Sequence, residues 1–168
     1  MVSRVIPVDP FDLVIFGGTG DLARRKILPG LFRRFRDGQM PDGARIIGAA
    51  RSDLDADGYR AEIRAAFEEF LWPEERDDKM DGFLAHLDYL RVDATGEAGW
   101  AEMKEKMRDG VVQAFYFSVA PSLFGALAER LHLNGIARED ARIVVEKPFG
   151  RDLASAKELN ATLASHFD

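Results

Sequence analysis

A chain of 168 residues can bury one proper core, and 46% hydrophobic with 31% charged residues is ordinary for a globular domain. A formal charge of -6 argues against nucleic acid or an anionic membrane as partner, and the absence of cysteine excludes disulfides, thiolate metal sites and cysteine nucleophiles. His86, His132 and His166 stand too far apart for a metal site, no apolar run approaches membrane-spanning length, and the N-terminus does not read as a signal peptide; a cytoplasmic protein is expected.

Residues 1–10, with Pro7 and Pro10, read as a leader, and residues 11–168 as one domain. Asp12–Gly17 is predicted as a buried strand. Residues 20–37 carry helical apolar spacing at Ile27, Leu31 and Phe35, interrupted by Pro29, which either kinks the helix or starts a second one. Asp37-Gly38 and Pro41-Asp42-Gly43 mark turns before a second strand at Ala44–Ala50. A helix follows around 57–71 with Ile63, Phe67, Phe70 and Leu71 on one face, then a polar connector over 72–82 containing Pro73. The third strand is placed at Leu87–Val92, and a helix at 97–108 with Trp100, Met103 and Met107 as its apolar stripe. Val111–Val119 is the fourth strand, rich in β-branched and aromatic residues. Pro121 precedes a helix whose Leu123, Leu127 and Leu131 share a face, Ala141–Val145 is the fifth strand, and a last helix is expected over 152–167. Strands alternating with helices predict an α/β, doubly wound, mainly parallel sheet with right-handed crossovers.

The run Leu13-Val-Ile-Phe-Gly-Gly-Thr-Gly-Asp-Leu-Ala-Arg-Arg-Lys26 takes an apolar strand through a glycine turn into a helix. That arrangement offers unpaired amides and a partial positive charge to a pyrophosphate, and selects the Rossmann-like, dinucleotide-binding version of the sheet. Gly17, Gly18 and Gly20 suit positive φ or close approach of phosphate, Thr19 can donate a hydroxyl, and Ala23, after Leu22, lets the helix pack closely on the sheet. Asp21 would repel a pyrophosphate and is assigned to capping the helix. Of Arg24, Arg25 and Lys26, at least one belongs to a solvated face.

The second strand ends in Arg51-Ser52, where an NAD-binding domain would carry an acid for the ribose. A guanidinium there can pair bidentately with a 2′-phosphate and Ser52 can add a hydroxyl, so NADP is favoured, although Asp53 leaves some use of NAD open. The plain alternative is a solvated arginine. Asp93-Ala94 ends the third strand, either as an adenosine contact or as an ordinary Asx turn. Ser118-Val119-Ala120-Pro121 ends the fourth, leaving room for a flat ring, though helix-start punctuation explains Pro121 equally well. In Glu146-Lys147-Pro148 the proline favours an extended Lys147, whose ammonium would reach beyond the strand's carboxyl end towards a substrate hydroxyl.

Together Gly17-Gly-Thr-Gly-Asp-Leu-Ala-Arg-Arg-Lys26, Ala50-Arg51-Ser52 and Glu146-Lys-Pro-Phe-Gly-Arg-Asp-Leu153 resemble the glucose-6-phosphate dehydrogenase family, over roughly residues 10–168. The resemblance implies NADP-linked oxidation of glucose 6-phosphate to the 6-phosphogluconolactone, the first step of the oxidative pentose phosphate pathway. It implies that Gly17 to Ala23 form the cofactor turn, that Arg51 meets the 2′-phosphate, and that Lys26 and Lys147 lie at the cofactor–substrate junction. The family's Arg-Ile-Asp-His-Tyr-Leu-Gly-Lys-Glu motif, which carries its general base, is absent here, and His166 falls outside any such motif. The chain is therefore expected to be the coenzyme domain without the catalytic and oligomerisation domain, inactive by itself, with the intact enzyme a homo-oligomer. Two rivals remain: a non-catalytic NADP-sensing module, and another sugar dehydrogenase with a Glu-Lys-Pro turn, of the inositol-dehydrogenase-like type.

Overall fold

Phe11–Phe16 forms β1, and its alternation sends Leu13 and Ile15 to one side and Val14 and Phe16 to the other, each into a separate core. A strand apolar on both faces needs helices on both faces, which is the parallel-sheet solution. The computed structural model describes residues 10–41, 43–71, 73–75, 78–93, 96–108, 111–136 and 141–145. The other strands among them are β2 (Arg45–Ala50), β3 (Leu87–Arg91), β4 (Val112–Phe117) and β5 (Arg142–Val145). All pair in parallel, in the order β3-β2-β1-β4-β5. The chain moves outward from β1 to β2 and β3, then crosses to β4 on the opposite side of β1. The ends of β1 and β4 thus flank a topological switch point, where open α/β sheets bind ligands. Residues 1–9 of the leader, Ala94, the Glu146-Lys147-Pro148 turn and the helix expected over 152–167 lie outside the described residues.

The helices are α1 (Leu28–Arg36), α2 (Ala56–Phe70), α3 (Lys79–Leu84), α4 (Trp100–Lys106) and α5 (Phe124–Leu133). One core joins β1 and β2 to Phe32, Ile63, Phe67 and Phe83 of α1, α2 and α3. The other joins the opposite sheet face to Trp100, Met103, Leu127 and Leu131 of α4 and α5. The polar connector expected over 72–82 contains the start of α3. Met80, Phe83 and Leu84 are buried, so helical spacing was present but too short to stand out from its polar surroundings.

Of the two readings of Pro29, the start of a second helical segment holds, since it stands in the first turn of α1 directly after a π turn. The chain is continuously helical from Asp21 to Arg36, with a π turn at Ala23–Ile27 immediately before α1. The Leu28 amide donates to the Ala23 carbonyl, five residues back, and this widened turn brings Pro29 into the first turn of α1, where its missing N–H costs little.

At the N-terminal ends of the strands a carboxylate is fully buried. Asp12 of β1 accepts from the Arg108 amide at 2.9 Å and from Arg108 Nε and Nη2 at 2.9 and 2.7 Å. Arg45 of β2 adds Nε at 3.2 Å and Nη2 at 3.3 Å, and also donates to the Lys106 carbonyl. Burial would raise the Asp12 pKa, but the hydrogen bonds from Arg108 and Arg45 outweigh it and hold the carboxyl below its ordinary value near 3.8. This network ties β1, β2 and the approach to β4 together at the end of the sheet remote from the glycine turn.

Candidate functional site

The glycine turn leaves β1 through Gly17 at φ +83°, a conformation that side chains rarely adopt. A Cβ on Gly17 would also stand 2.1 Å from the Ser118 carbonyl oxygen at the end of β4. A Cβ on Gly18 would stand 2.9 Å from both the Gly48 Cα and the Tyr59 hydroxyl. These two glycines are therefore required by packing of the turn between β2 and β4, whatever the ligand. The Gly17 amide donates to the Ala49 carbonyl at 2.8 Å and the Gly20 amide to the Gly17 carbonyl at 2.9 Å. With those amides satisfied internally, the unpaired donors of the helix start at Thr19, Asp21 and Leu22 are the ones available to an anion.

Asp21 does not cap this helix. Its carboxylate instead accepts from Arg25 Nε at 2.7 Å, and the Arg25 guanidinium lies 4.6 Å over the Phe70 ring. Asp21 is already helical, so its side chain points back along the surface towards the residue four positions on rather than across the open amides. The pairing draws the negative charge aside from the turn. Ala23 is buried in the core beneath the helix, and Leu22 packs at its margin, so Leu22 faces a ligand with its backbone only. Lys26 is exposed on the π turn.

Beside the turn lies a cleft of about 460 Å³ at the carboxyl ends of the strands. Gly17, Thr19 and Gly20 form one wall, Arg51 and Ser52 another, and Asp93 closes the end of β3. Val119, Leu123 and Leu127 supply an apolar side. Among the residues singled out at the end of β4, Ala120 is exposed beside that side, and Pro121 opens a single 3₁₀ turn, Pro121–Leu123, leading into α5. Asp93 is held as part of a turn: its carbonyl accepts from the Trp100 indole at 2.9 Å and from the Gly96 amide at 3.3 Å. Trp100 in turn packs 5.6 Å from Phe16, directly below the glycine turn. Phosphate donors at one side, a guanidinium at another and apolar surface between them suit a phosphate-bearing nucleotide with flat rings.

Two tyrosines not singled out in the sequence support this cleft from beneath. The Tyr59 hydroxyl donates to the Gly18 carbonyl at 2.9 Å, and the Tyr89 hydroxyl to the Ser52 carbonyl at 2.7 Å. The available signal was chemical: a tyrosine inside an apolar helix face or strand must find a hydrogen-bond partner once buried. Which carbonyl it finds depends on tertiary contacts. The cleft also includes Leu123 and Leu127, which by helical spacing read only as one face of a helix. Among the described residues there is no acidic or histidine cluster that could hold a metal, and no helix is long and apolar enough to cross a membrane.

Residues 14–168 match the family described as glucose-6-phosphate dehydrogenase, NAD binding domain. The chain is 45% identical over 170 residues to a glucose-6-phosphate 1-dehydrogenase of Rhizobium meliloti, a match covering 99% of this chain and 35% of that protein. It is 44% identical over 168 residues to one from Mycolicibacterium smegmatis, covering 96% and 34%. A solved glucose-6-phosphate 1-dehydrogenase from Mycobacterium avium superposes with a TM-score of 0.85 at 35% identity, covering 95% of this chain and 34% of that one. A second solved structure, glucose-6-phosphate dehydrogenase in complex with its substrate glucose-6-phosphate, gives 0.81 at 32% identity, covering 100% and 36%. The chain thus spans about a third of the length of these relatives. A sheet with its switch point at the glycine turn, and a family match running from β1 onward, lead to one conclusion: this chain belongs to the NAD-binding domain family of glucose-6-phosphate dehydrogenase.

Proposed function

We propose that this chain is the NADP-holding part of a glucose-6-phosphate 1-dehydrogenase, and that the whole enzyme oxidises glucose 6-phosphate to the 6-phosphogluconolactone. The observation that carries the cofactor choice is Arg51, exposed at the end of β2 and lining the same cleft as the glycine turn. A guanidinium in that position favours a 2′-phosphate, where a carboxylate would favour the two ribose hydroxyls of NAD. Thr19, Asp21 and Leu22 supply amides to the pyrophosphate, Thr19 and Ser52 add hydroxyls, and Gly17, Gly18, Gly20 and Ala23 keep the turn close to the sheet. Asp93 and Ala94 serve the adenosine side, and Ala120 and Pro121 the nicotinamide side. A nicotinamide held there would supply the hydride acceptor for the sugar carbon.

Lys26 and Lys147 are assigned to the substrate side of the cofactor. Their ammonium groups suit a sugar-phosphate anion and its hydroxyls. The general base that removes the hydroxyl proton belongs to sequence outside this chain in this reading, so the chain holds cofactor without turning over. The whole enzyme is a homo-oligomer assembled through that further sequence. The location is the cytoplasm, because sugar phosphates and nicotinamide dinucleotides are multiply charged and do not cross membranes unaided.

Titration calorimetry with NADP and NAD on the wild-type chain and Arg51→Ala tests the reading. Loss of a charge-assisted bidentate contact lowers NADP affinity by about 10- to 100-fold and leaves NAD within about twofold. Unchanged NADP affinity in Arg51→Ala removes the 2′-phosphate assignment. Steady NADPH formation by this chain with glucose 6-phosphate contradicts the placement of the base.

A further inference from the structure

The two tyrosines beneath the cleft come from different elements, Tyr59 from the first turn of α2 and Tyr89 from the middle of β3. Both are buried, at 0% and 5% exposure, and their rings lie 5.1 Å apart at 31°. Each hydroxyl ends on the backbone carbonyl of a different ligand-facing turn, Gly18 in one case and Ser52 in the other. Neither turn belongs to a strand ladder at that point, and the Ser52 carbonyl also accepts from the Leu54 amide of its own turn at 3.0 Å. We propose that Tyr59 and Tyr89 form a brace that sets the spacing between the pyrophosphate turn and the 2′-phosphate turn, making both positioning residues for the dinucleotide.

The packing supports a rigid brace. A Cβ on Gly48 would stand 2.4 Å from Tyr59 Cζ and 2.6 Å from its hydroxyl oxygen, so the ring fills the space over that glycine and has no room to slide. Burial raises the pKa of both phenols, Tyr59 strongly, so each keeps its proton and acts as a donor at neutral pH. The brace thereby adds a second coupling, through two tilted rings, to the direct hydrogen bond from the Gly17 amide to the Ala49 carbonyl, and so links loops more than 30 positions apart in the chain.

This inference rests on the NADP reading above, and it predicts a different ligand signature for each tyrosine. NAD and NADP share the pyrophosphate, whereas only NADP presents a 2′-phosphate. Tyr59→Phe, which keeps the ring and frees the Gly18 carbonyl, weakens both dinucleotides by about fivefold. Tyr89→Phe, which cuts the link from β3 and leaves the Ser52 carbonyl with the Leu54 amide of its own turn, weakens NADP by about fivefold and leaves NAD within about twofold. Calorimetry on the 168-residue chain, run well below the thermal midpoint of each variant, reads both affinities. If Tyr59→Phe does not fold, Tyr89→Phe carries the test alone through its NADP-to-NAD ratio. Equal losses of NADP and NAD in Tyr89→Phe, or NADP affinity within about twofold of wild type, overturn the brace. Arg51→Ala separates the two ideas. If it weakens NADP while Tyr89→Phe does not, the brace fails and the cofactor reading stands; if it has no effect, the cofactor reading itself fails.

Discussion

Replacing Asp12 with Asn changes one atom at the end of the sheet opposite the cleft. In the native chain the fully buried carboxylate receives Arg108 through its amide, Nε and Nη2, and Arg45 through Nε and Nη2, all within 3.3 Å. Asparagine removes the charge and turns an NH2 group towards guanidinium donors. Breaking a buried ion pair from one side costs about 3–5 kcal/mol. The two arginine side chains are 26% and 38% exposed and can recover some hydration, which lowers the expected cost to about 2–4 kcal/mol. Urea unfolding at pH 7 measures it directly. The pH dependence supplies a second check. Because the folded pKa of Asp12 lies below its ordinary value near 3.8, the carboxylate's contribution is complete above that value and is lost as pH falls through the folded pKa. The stability gap between wild type and Asp12→Asn should therefore narrow below about pH 4. Asp12 and Gly17 are separated by the length of a strand, about 16 Å, so dinucleotide affinity should stay within about twofold. A cost below about 1 kcal/mol, or a gap that does not change down to about pH 2, would refute the network's role.

Two further substitutions probe the support of the cleft. Gly48→Ala places its methyl 2.4 Å from the Tyr59 ring, which has no free space, and should cost about 2–3 kcal/mol by overpacking while weakening dinucleotide binding. Urea midpoints and calorimetry read the two effects, and a loss of binding without loss of stability argues against the packing explanation. Asp55→Ala removes the cap of α2, where the carboxylate accepts from the Gly58 amide at 2.7 Å. It should lower stability by about 1 kcal/mol, or the thermal midpoint by about 2–4 °C, and an unchanged midpoint would mean that the cap contributes nothing.

Much of the scaffold is legible along the chain because it is local chemistry. The alternation of Leu13, Val14, Ile15 and Phe16 announces a strand buried on both faces, and the glycines after it announce a turn with positive φ leading into a helix. Arg51 at the end of an apolar run is equally local. Other expectations failed or stayed open where a local signal had two physical solutions. Asp21 has the residue type of a cap, but an arginine one turn later offered its carboxylate a better partner, one held in place by Phe70. Pro29 allowed either a kink or a new start, and the π turn before it decides for the start of α1. α3 was missed because Met80, Phe83 and Leu84 make too short a stripe to distinguish from a loop until a core lies beneath them.

Periodicity, turn conformation and charge alone are enough to make this chain a parallel α/β domain with a glycine turn after its first strand and a basic residue after its second. The order β3-β2-β1-β4-β5, which brings Arg51, Asp93 and Val119 around Gly17, comes instead from long-range packing. That packing also decided that Asp12 meets Arg108 across 96 residues, and that Tyr59 and Tyr89 stand under the two ligand-facing turns. Such contacts arise from strand register and helix packing between distant segments, which no local pattern specifies.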